Sequence, residues 1–298
     1  MSPRICNYYI TLQCNDTCEF CQLWRREGDP EIRLSGDQGK EILKELKIKG
    51  ITYLNITGGE PLLYDDLPQI LKEAKRLDLK VKLTTNGILY SERARSIDGL
   101  VDVLSFSLDY PIASEHDRSR GVDCFTEVIS AIKLAGELGE NPIINFTLTR
   151  DSVRFLPEMI DLAEKLKTPV YINPVYDFYG TQGFDPSTLE HIKYFGRRKN
   201  VMVNLAALEF IRAGGNQVIL PRCRAKETTV TILPDGTSAS PCFYNPGGQQ
   251  GRETVCSSCM RWPYMLPSFS LGLDRYFWLN LYSQLVTDWN LRLKSRFH

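Results

Sequence analysis

The chain has 298 residues, 43% of them apolar, and 36 Lys and Arg balance 36 Asp and Glu. That length can bury one large or two ordinary cores, and zero net charge gives no reason to expect a nucleic acid or an anionic membrane as partner. The longest stretch without a charge, residues 237–251, is polar and rich in Gly and Pro, unlike the roughly 18 apolar residues of a membrane span; with no basic-then-apolar leader, the expectation is a cytoplasmic protein.

Along the chain, short apolar runs at 5–12, 51–57, 81–85, 102–108, 143–149 and 169–175 alternate with segments of helical period at 35–50, 65–80, 91–99, 125–139 and 152–167. Ile42, Leu43 and Leu46, then Leu67, Ile70, Leu71 and Ala74, recur at three and four residues and so share a helix face. Ser35 and Ser91 stand at N-cap positions. This alternation predicts an α/β fold of six βα units around parallel strands, as an open sheet or an incomplete barrel. Near residue 195 the rhythm stops. A helix over 204–215, a hairpin over 229–240 turning at Asp235-Gly236, a Cys/Pro/Gly-rich region and a last apolar helix over 273–295 follow. The implied domains are 1–198 and 199–298.

Nine cysteines are the abnormal number in the composition, and they are bunched. An odd count at tight spacing, without a secretion signal, favours metal or redox chemistry over disulfides. Cys14-x3-Cys18-x2-Cys21 follows the first strand, at the strand end where α/β folds build their active sites. Structural zinc wants four closed ligands, whereas three thiolates suit a [4Fe-4S] cluster with one open iron.

CNDTCEFC resembles the Cys-x3-Cys-x2-Cys motif of the radical S-adenosylmethionine (SAM) superfamily, and further segments extend the resemblance over about residues 5–195. Gly58-Gly59-Glu60-Pro61 is similar to the family's GGE segment, Thr84-Thr85-Asn86-Gly87 to its TNG, Ser107-Leu108-Asp109 to its S-x-D, and HDRSRG (116–121) to the Arg-containing segment that follows. The resemblance implies a partial (β/α)6 parallel barrel with a [4Fe-4S] cluster on Cys14, Cys18 and Cys21. It also implies SAM contacts from Gly58, Gly59, Glu60, Pro61, Asn86, Ser107, Asp109 and Arg120. The two glycines would let backbone approach the ligand, Glu60 would accept from the methionine ammonium, and Arg120 would meet the methionine carboxylate. Reductive SAM cleavage would then yield a 5′-deoxyadenosyl radical that takes hydrogen from substrate, with a flavodoxin- or ferredoxin-type electron donor.

Cys223, Cys242, Cys256 and Cys259 form a second set, which by residue type could close around zinc or an iron–sulfur cluster. Their placement around the hairpin resembles a shortened SPASM extension, or twitch domain, which implies one fully ligated auxiliary [4Fe-4S] cluster in a small α+β domain ending in a helix. Two features depart from that pattern: Gly236 lies further from Cys242 than usual, and the later SPASM cysteines are missing.

Of the remaining candidates, Cys124 reads as a packing residue with hydrogen-atom donation as the alternative, Cys6 as core and His116 as surface. Asn145, Thr147, Asn173, Tyr176 and Tyr179 could face substrate. Trp278, Leu281, Tyr282, Leu285 and Trp289 recur at helical spacing; they are expected to pack back on the barrel, with peripheral membrane or partner contact as the alternative. No catalytic side chain is assigned. With no room before residue 5 for a peptide-recognition domain, the expected substrate is a small or lipid-like molecule. Peptide modification and a non-catalytic iron–sulfur protein are the alternatives.

Overall fold

A computed structural model of the chain describes residues 4–21, 23–24, 33–175, 184–217, 223–239 and 259–294. The fold is α/β, and the eight strands among the described residues run parallel wherever their register is resolved. All six apolar runs become strands: β1 (Ile5–Thr11), β2 (Tyr53–Gly58), β3 (Lys80–Thr85), β4 (Val103–Ser107), β5 (Pro142–Leu148) and β6 (Val170–Pro174). Helices α1 (Gly36–Ile48), α2 (Leu67–Arg76), α3 (Tyr90–Ile97), α4 (Ala113–Arg120), α5 (Phe125–Glu137) and α6 (Leu156–Lys165) lie between them in the chain. This is the βα order of a partial (β/α)6 barrel. It is extended by α7 (Pro186–Phe195), β7 (Val201–Met202), α8 (Leu205–Arg212), β8 (Thr229–Ile232) and a C-terminal helix (Arg275–Lys294).

The chain divides into two compact units. Met1–Leu108, Ile112–Ile143 and Lys226–Gly248 form the first, where strands follow the order β4-β3-β2-β1-β8; Asp109–Pro111, Ile144–Ala225 and Gln249–His298 form the second, with β7 and β5 on either side of β6. The segment expected to be a hairpin contributes β8, paired in parallel with β1 from Ile5↔Thr229 to Tyr8↔Ile232. Its return is a single antiparallel bridge, Ile232↔Ser238, around a turn in which Gly236 takes a φ of 84°.

Core formation in the first unit follows strand parity. Cys6, Tyr8, Leu54, Ile56, Val81, Leu83, Leu104 and Phe106 are all buried. Tyr8 points toward α1, where a Cβ added at Gly39 would lie 3.4 Å from its hydroxyl and 2.4 Å from Ile70 of α2. A side chain at Gly39 would have to displace the Ile70 δ-methyl group. Ser35 caps α1 through a full capping box with Gln38.

Two local expectations are corrected. Ser91 lies inside α3, whose N-cap is Leu89 without a side-chain cap bond. His116 is fully buried, its ring packed edge-on to Phe125 at 5.9 Å, because HDRSRG is the body of α4 rather than a surface loop. Cys6 is core as expected, at 0% exposure.

Candidate active site

In the first unit the loop after β1, carrying Cys14, Cys18 and Cys21, is fastened on two sides. On one side, the Thr17 and Glu19 amides donate to the Arg120 and Ser119 carbonyls at the end of α4, at 2.9 and 3.0 Å. On the other, the Gly59 amide donates to the Thr11 carbonyl at 2.8 Å and the Glu60 amide to the Gln13 carbonyl at 2.7 Å. Gly59 has no room for a side chain, since a Cβ there would stand 1.9 Å from the Gln13 carbonyl oxygen, and one at Gly58 would stand 2.2 Å from that of Thr11. These glycines therefore admit the chain's own backbone, a role the sequence alone did not indicate. Backbone cannot yield as a flexible side chain can, so Gly59→Ala is expected to cost about 1–3 kcal/mol and to lower iron loading. Full iron content with an unchanged melting midpoint would contradict this.

Glu60 is 1% exposed and its carboxylate accepts three hydrogen bonds. It accepts from the Leu62 amide at 2.9 Å, the Thr85 hydroxyl at 2.7 Å and the Asn86 amide at 2.7 Å. Burial pushes its carboxyl up to about 7 against these bonds. A carboxylate offers about four lone-pair sites, so acceptor capacity remains beyond the three bonds. Pro61 opens the short helical turn that Glu60 caps.

Asn86 spends its amide group on the cluster loop, donating to Asn15 Oδ1 at 2.8 Å and Asp16 Oδ1 at 2.9 Å. Arg120, itself nearly buried, lies with Nη1 3.4 Å from Asp16 Oδ2 and 3.5 Å from Cys18 Sγ. Asp16, set between two cysteines of the motif, is thus the hub that joins the TNG and Arg segments to the thiols. Sequence reasoning passed over it. A carboxylate inside a thiolate motif was the available signal, but its partners lie 70 and 104 residues away.

Cys18 is buried, and Cys14 and Cys21 are half-buried. Desolvation pushes the Cys14 thiol up to about 12 and raises that of Cys21, so both are neutral until a metal displaces their protons. Three soft sulfurs, an Asp16 amide 3.5 Å from Cys14 Sγ and a guanidinium against Cys18 Sγ suit an iron–sulfur cluster, whose thiolates are commonly hydrogen-bonded. Among the described residues, no three His, Cys, Asp or Glu side chains gather around one point as a single metal ion would require.

Ser107 ends β4, buried to 8% exposure. Asp109 belongs to the second unit, where it is 1% exposed and accepts from the Thr147 amide at 3.1 Å. Asn173 Nδ2 reaches Asn145 Oδ1 at 3.3 Å in that unit. Cys124 is buried at the start of α5, and desolvation pushes its thiol up to about 12. In the second unit Cys223 and Cys259 are half-buried, and the Arg261 amide and guanidinium lie 3.4 and 3.6 Å from Cys259 Sγ. Cys242, Cys256, Tyr176 and Tyr179 lie outside the described residues.

On the strand face away from α1, register sets four polar residues of the first unit in one row. Thr231 pairs with Asn7, Asn7 with Asn55 and Asn55 with Lys82. Asn55 Nδ2 donates to Asn7 Oδ1 at 2.9 Å, and burial lowers the Lys82 ammonium to about 8. At about 3.3 Å per residue, this row lies roughly 13 Å along the strands from Thr11, Gly59 and Asn86.

Residues 8–152 match the model of the radical SAM superfamily. A protein of Methanococcus maripaludis (strain C6) named "Probable GTP 3′,8-cyclase" is 32% identical over 251 residues, covering 78% of this chain and 83% of that protein. A protein of the same name from Sulfolobus acidocaldarius is 33% identical over 157 residues, and there the match covers 52% of this chain and only 50% of the relative. Among solved structures, Streptococcus suis SuiB bound to S-adenosylmethionine superposes with a TM-score of 0.67 at 22% identity, over 90% of this chain and 67% of that one. At that identity the likeness is one of fold.

Proposed function

The chain belongs to the radical SAM superfamily, and on that premise we propose that it cleaves SAM reductively and takes hydrogen from a small polar substrate, a nucleotide being the first to test. Bound at the first unit, the cluster and SAM would supply the radical that takes hydrogen from substrate. The chain's own residues fix where that happens. Cys14, Cys18 and Cys21 would hold the cluster, Asn86 and Arg120 hold the loop that carries them, and Gly58, Gly59, Glu60, Pro61 and Ser107 are assigned to SAM.

The observation that carries this reading is the hydrogen-bonded closure of the motif segments on one loop: Glu60 on Gln13, Asn86 on Asp16 and Arg120 on Cys18. A lipid-like substrate is set aside. Relatives aligned over most of their length are named for GTP, and the Asn7, Asn55, Lys82 and Thr231 row is a polar lining that an acyl chain would cut off from water, at a desolvation cost.

Anaerobic reconstitution with SAM and dithionite tests the activity, and deuterated GTP tests the substrate. We expect 5′-deoxyadenosine in the first case and deuterium transferred into it in the second. Filled clusters without 5′-deoxyadenosine would point instead to a non-catalytic iron–sulfur protein.

We assign Cys223, Cys242, Cys256 and Cys259 to a twitch-type auxiliary [4Fe-4S] cluster in residues 199–298, supported by the amide and guanidinium at Cys259 Sγ. With every iron ligated by protein, it would pass electrons rather than bind substrate. Changing Cys256 and Cys259 to Ala should therefore leave some SAM cleavage but stop productive turnover; retained full turnover would reduce that cluster to a structural part. A cytoplasmic flavodoxin- or ferredoxin-type protein is the proposed donor.

A further inference from the structure

The C-terminal helix inverts the usual rule that a surface helix buries its apolar stripe. Tyr276, Asn280 and Ser283 are buried, at 2%, 2% and 5% exposure, while Trp278, Tyr282, Leu285 and Trp289 stand out at 60%, 55%, 59% and 66%. The helix does pack back within the second unit, but not by the aromatic face expected of it.

Its buried face is held by hydrogen bonds. Asn204 Nδ2 donates to Asn280 Oδ1 at 2.8 Å, Asn280 Nδ2 to Ser270 Oγ at 2.9 Å, and the Leu205 amide to Ser283 Oγ at 2.9 Å. Rotating the helix to hide its tryptophans would break all three and leave buried polar groups unmet, at about 1–3 kcal/mol each. The outward stripe is therefore fixed by the fold.

Positions 278, 282, 285 and 289 are spaced four, three and four, the spacing of a heptad seam, which a second helix fills. Exposed Asp288 and Gln284 border it on one side only. We propose that this face joins two copies of the chain through antiparallel pairing of their C-terminal helices. A twofold axis between Tyr282 and Leu285 sets Trp278 against Trp289 of the partner subunit, and Tyr282 against Leu285 of the partner subunit. Every seam position then meets a seam position, the self-complementarity a twofold interface demands. Fully covered, two such stripes would bury roughly 1,000 Å² in all, the size at which an interface is argued as a weak, concentration-dependent one.

The test is sedimentation equilibrium of the reconstituted full-length protein across about two decades of micromolar concentration, with flotation on phosphatidylcholine–phosphatidylglycerol vesicles alongside. The expected result is a monomer–dimer equilibrium weakened at least tenfold by Leu285→Glu and by Tyr282→Lys, and kept by Leu285→Met, with iron content and SAM cleavage unchanged in all three. Three results would each overturn the proposal: a wild-type protein monomeric throughout, a dimer indifferent to both charged variants, or a monomer that floats with vesicles and loses flotation in Leu285→Glu.

Discussion

Replacing Cys14, Cys18 and Cys21 with Ala is expected to remove about half of the iron of the reconstituted protein and all SAM cleavage. The half follows from the proposed assignment of one [4Fe-4S] cluster to each cysteine set, and the total loss from SAM needing the open iron that, on that assignment, only the first set would leave. Iron and sulfide analysis, with quantification of 5′-deoxyadenosine, reads both effects on one sample. The loop itself should keep its path, since its main anchors are backbone bonds from Thr17, Glu19, Gly59 and Glu60 rather than the thiols. Residual cleavage in the triple variant would defeat the assignment of this loop, whatever the iron count.

The second large effect is expected at Arg120. Asp16 and Arg120 face each other at 3.4 Å with side chains 1% and 8% exposed, so Arg120→Leu strands a carboxylate in a nearly dry site. Breaking such a pair from one side costs about 3–5 kcal/mol, whereas removing both charges is often close to neutral. Arg120→Leu should therefore lower the unfolding midpoint sharply, and Asp16→Asn combined with Arg120→Leu should regain much of the loss. The lost guanidinium also removes a donor from Cys18 Sγ, which should make the cluster harder to reduce, because hydrogen bonds to cluster sulfur raise its potential. Equal midpoints for wild type and single variant would refute the pairing. A double variant no better than the single would refute its electrostatic origin.

What was legible in the sequence was what is local. Strands β1 to β6 are short apolar runs because they are buried, and buried parallel strands read as continuous hydrophobic runs. The Cys14, Cys18 and Cys21 motif is local too, as are Ser35 and Gln38 at the start of α1. Asp16 was missed because its meaning depends on Asn86 and Arg120, which only the tertiary fold brings to it. His116 was misread because a helix of low amphipathicity, α4, hides its burial. In the C-terminal helix the periodicity was read correctly but assigned to the wrong side, since Asn280 and Ser283 find their partners on distant segments. A hydrophobic stripe shows that a face is meant to be covered, not by what.

The pairing of β8 with β1 sets an order on synthesis. β1 is made long before β8, so one of its edges receives its partner only when residues 229–232 appear. At about 5–20 residues per second on the ribosome, the nascent chain carries an unpaired edge for on the order of ten seconds or more, and such an edge is a template for pairing with other chains. The loop after β1 is thus joined to a strand whose second edge stays open until the strand that covers it has been made.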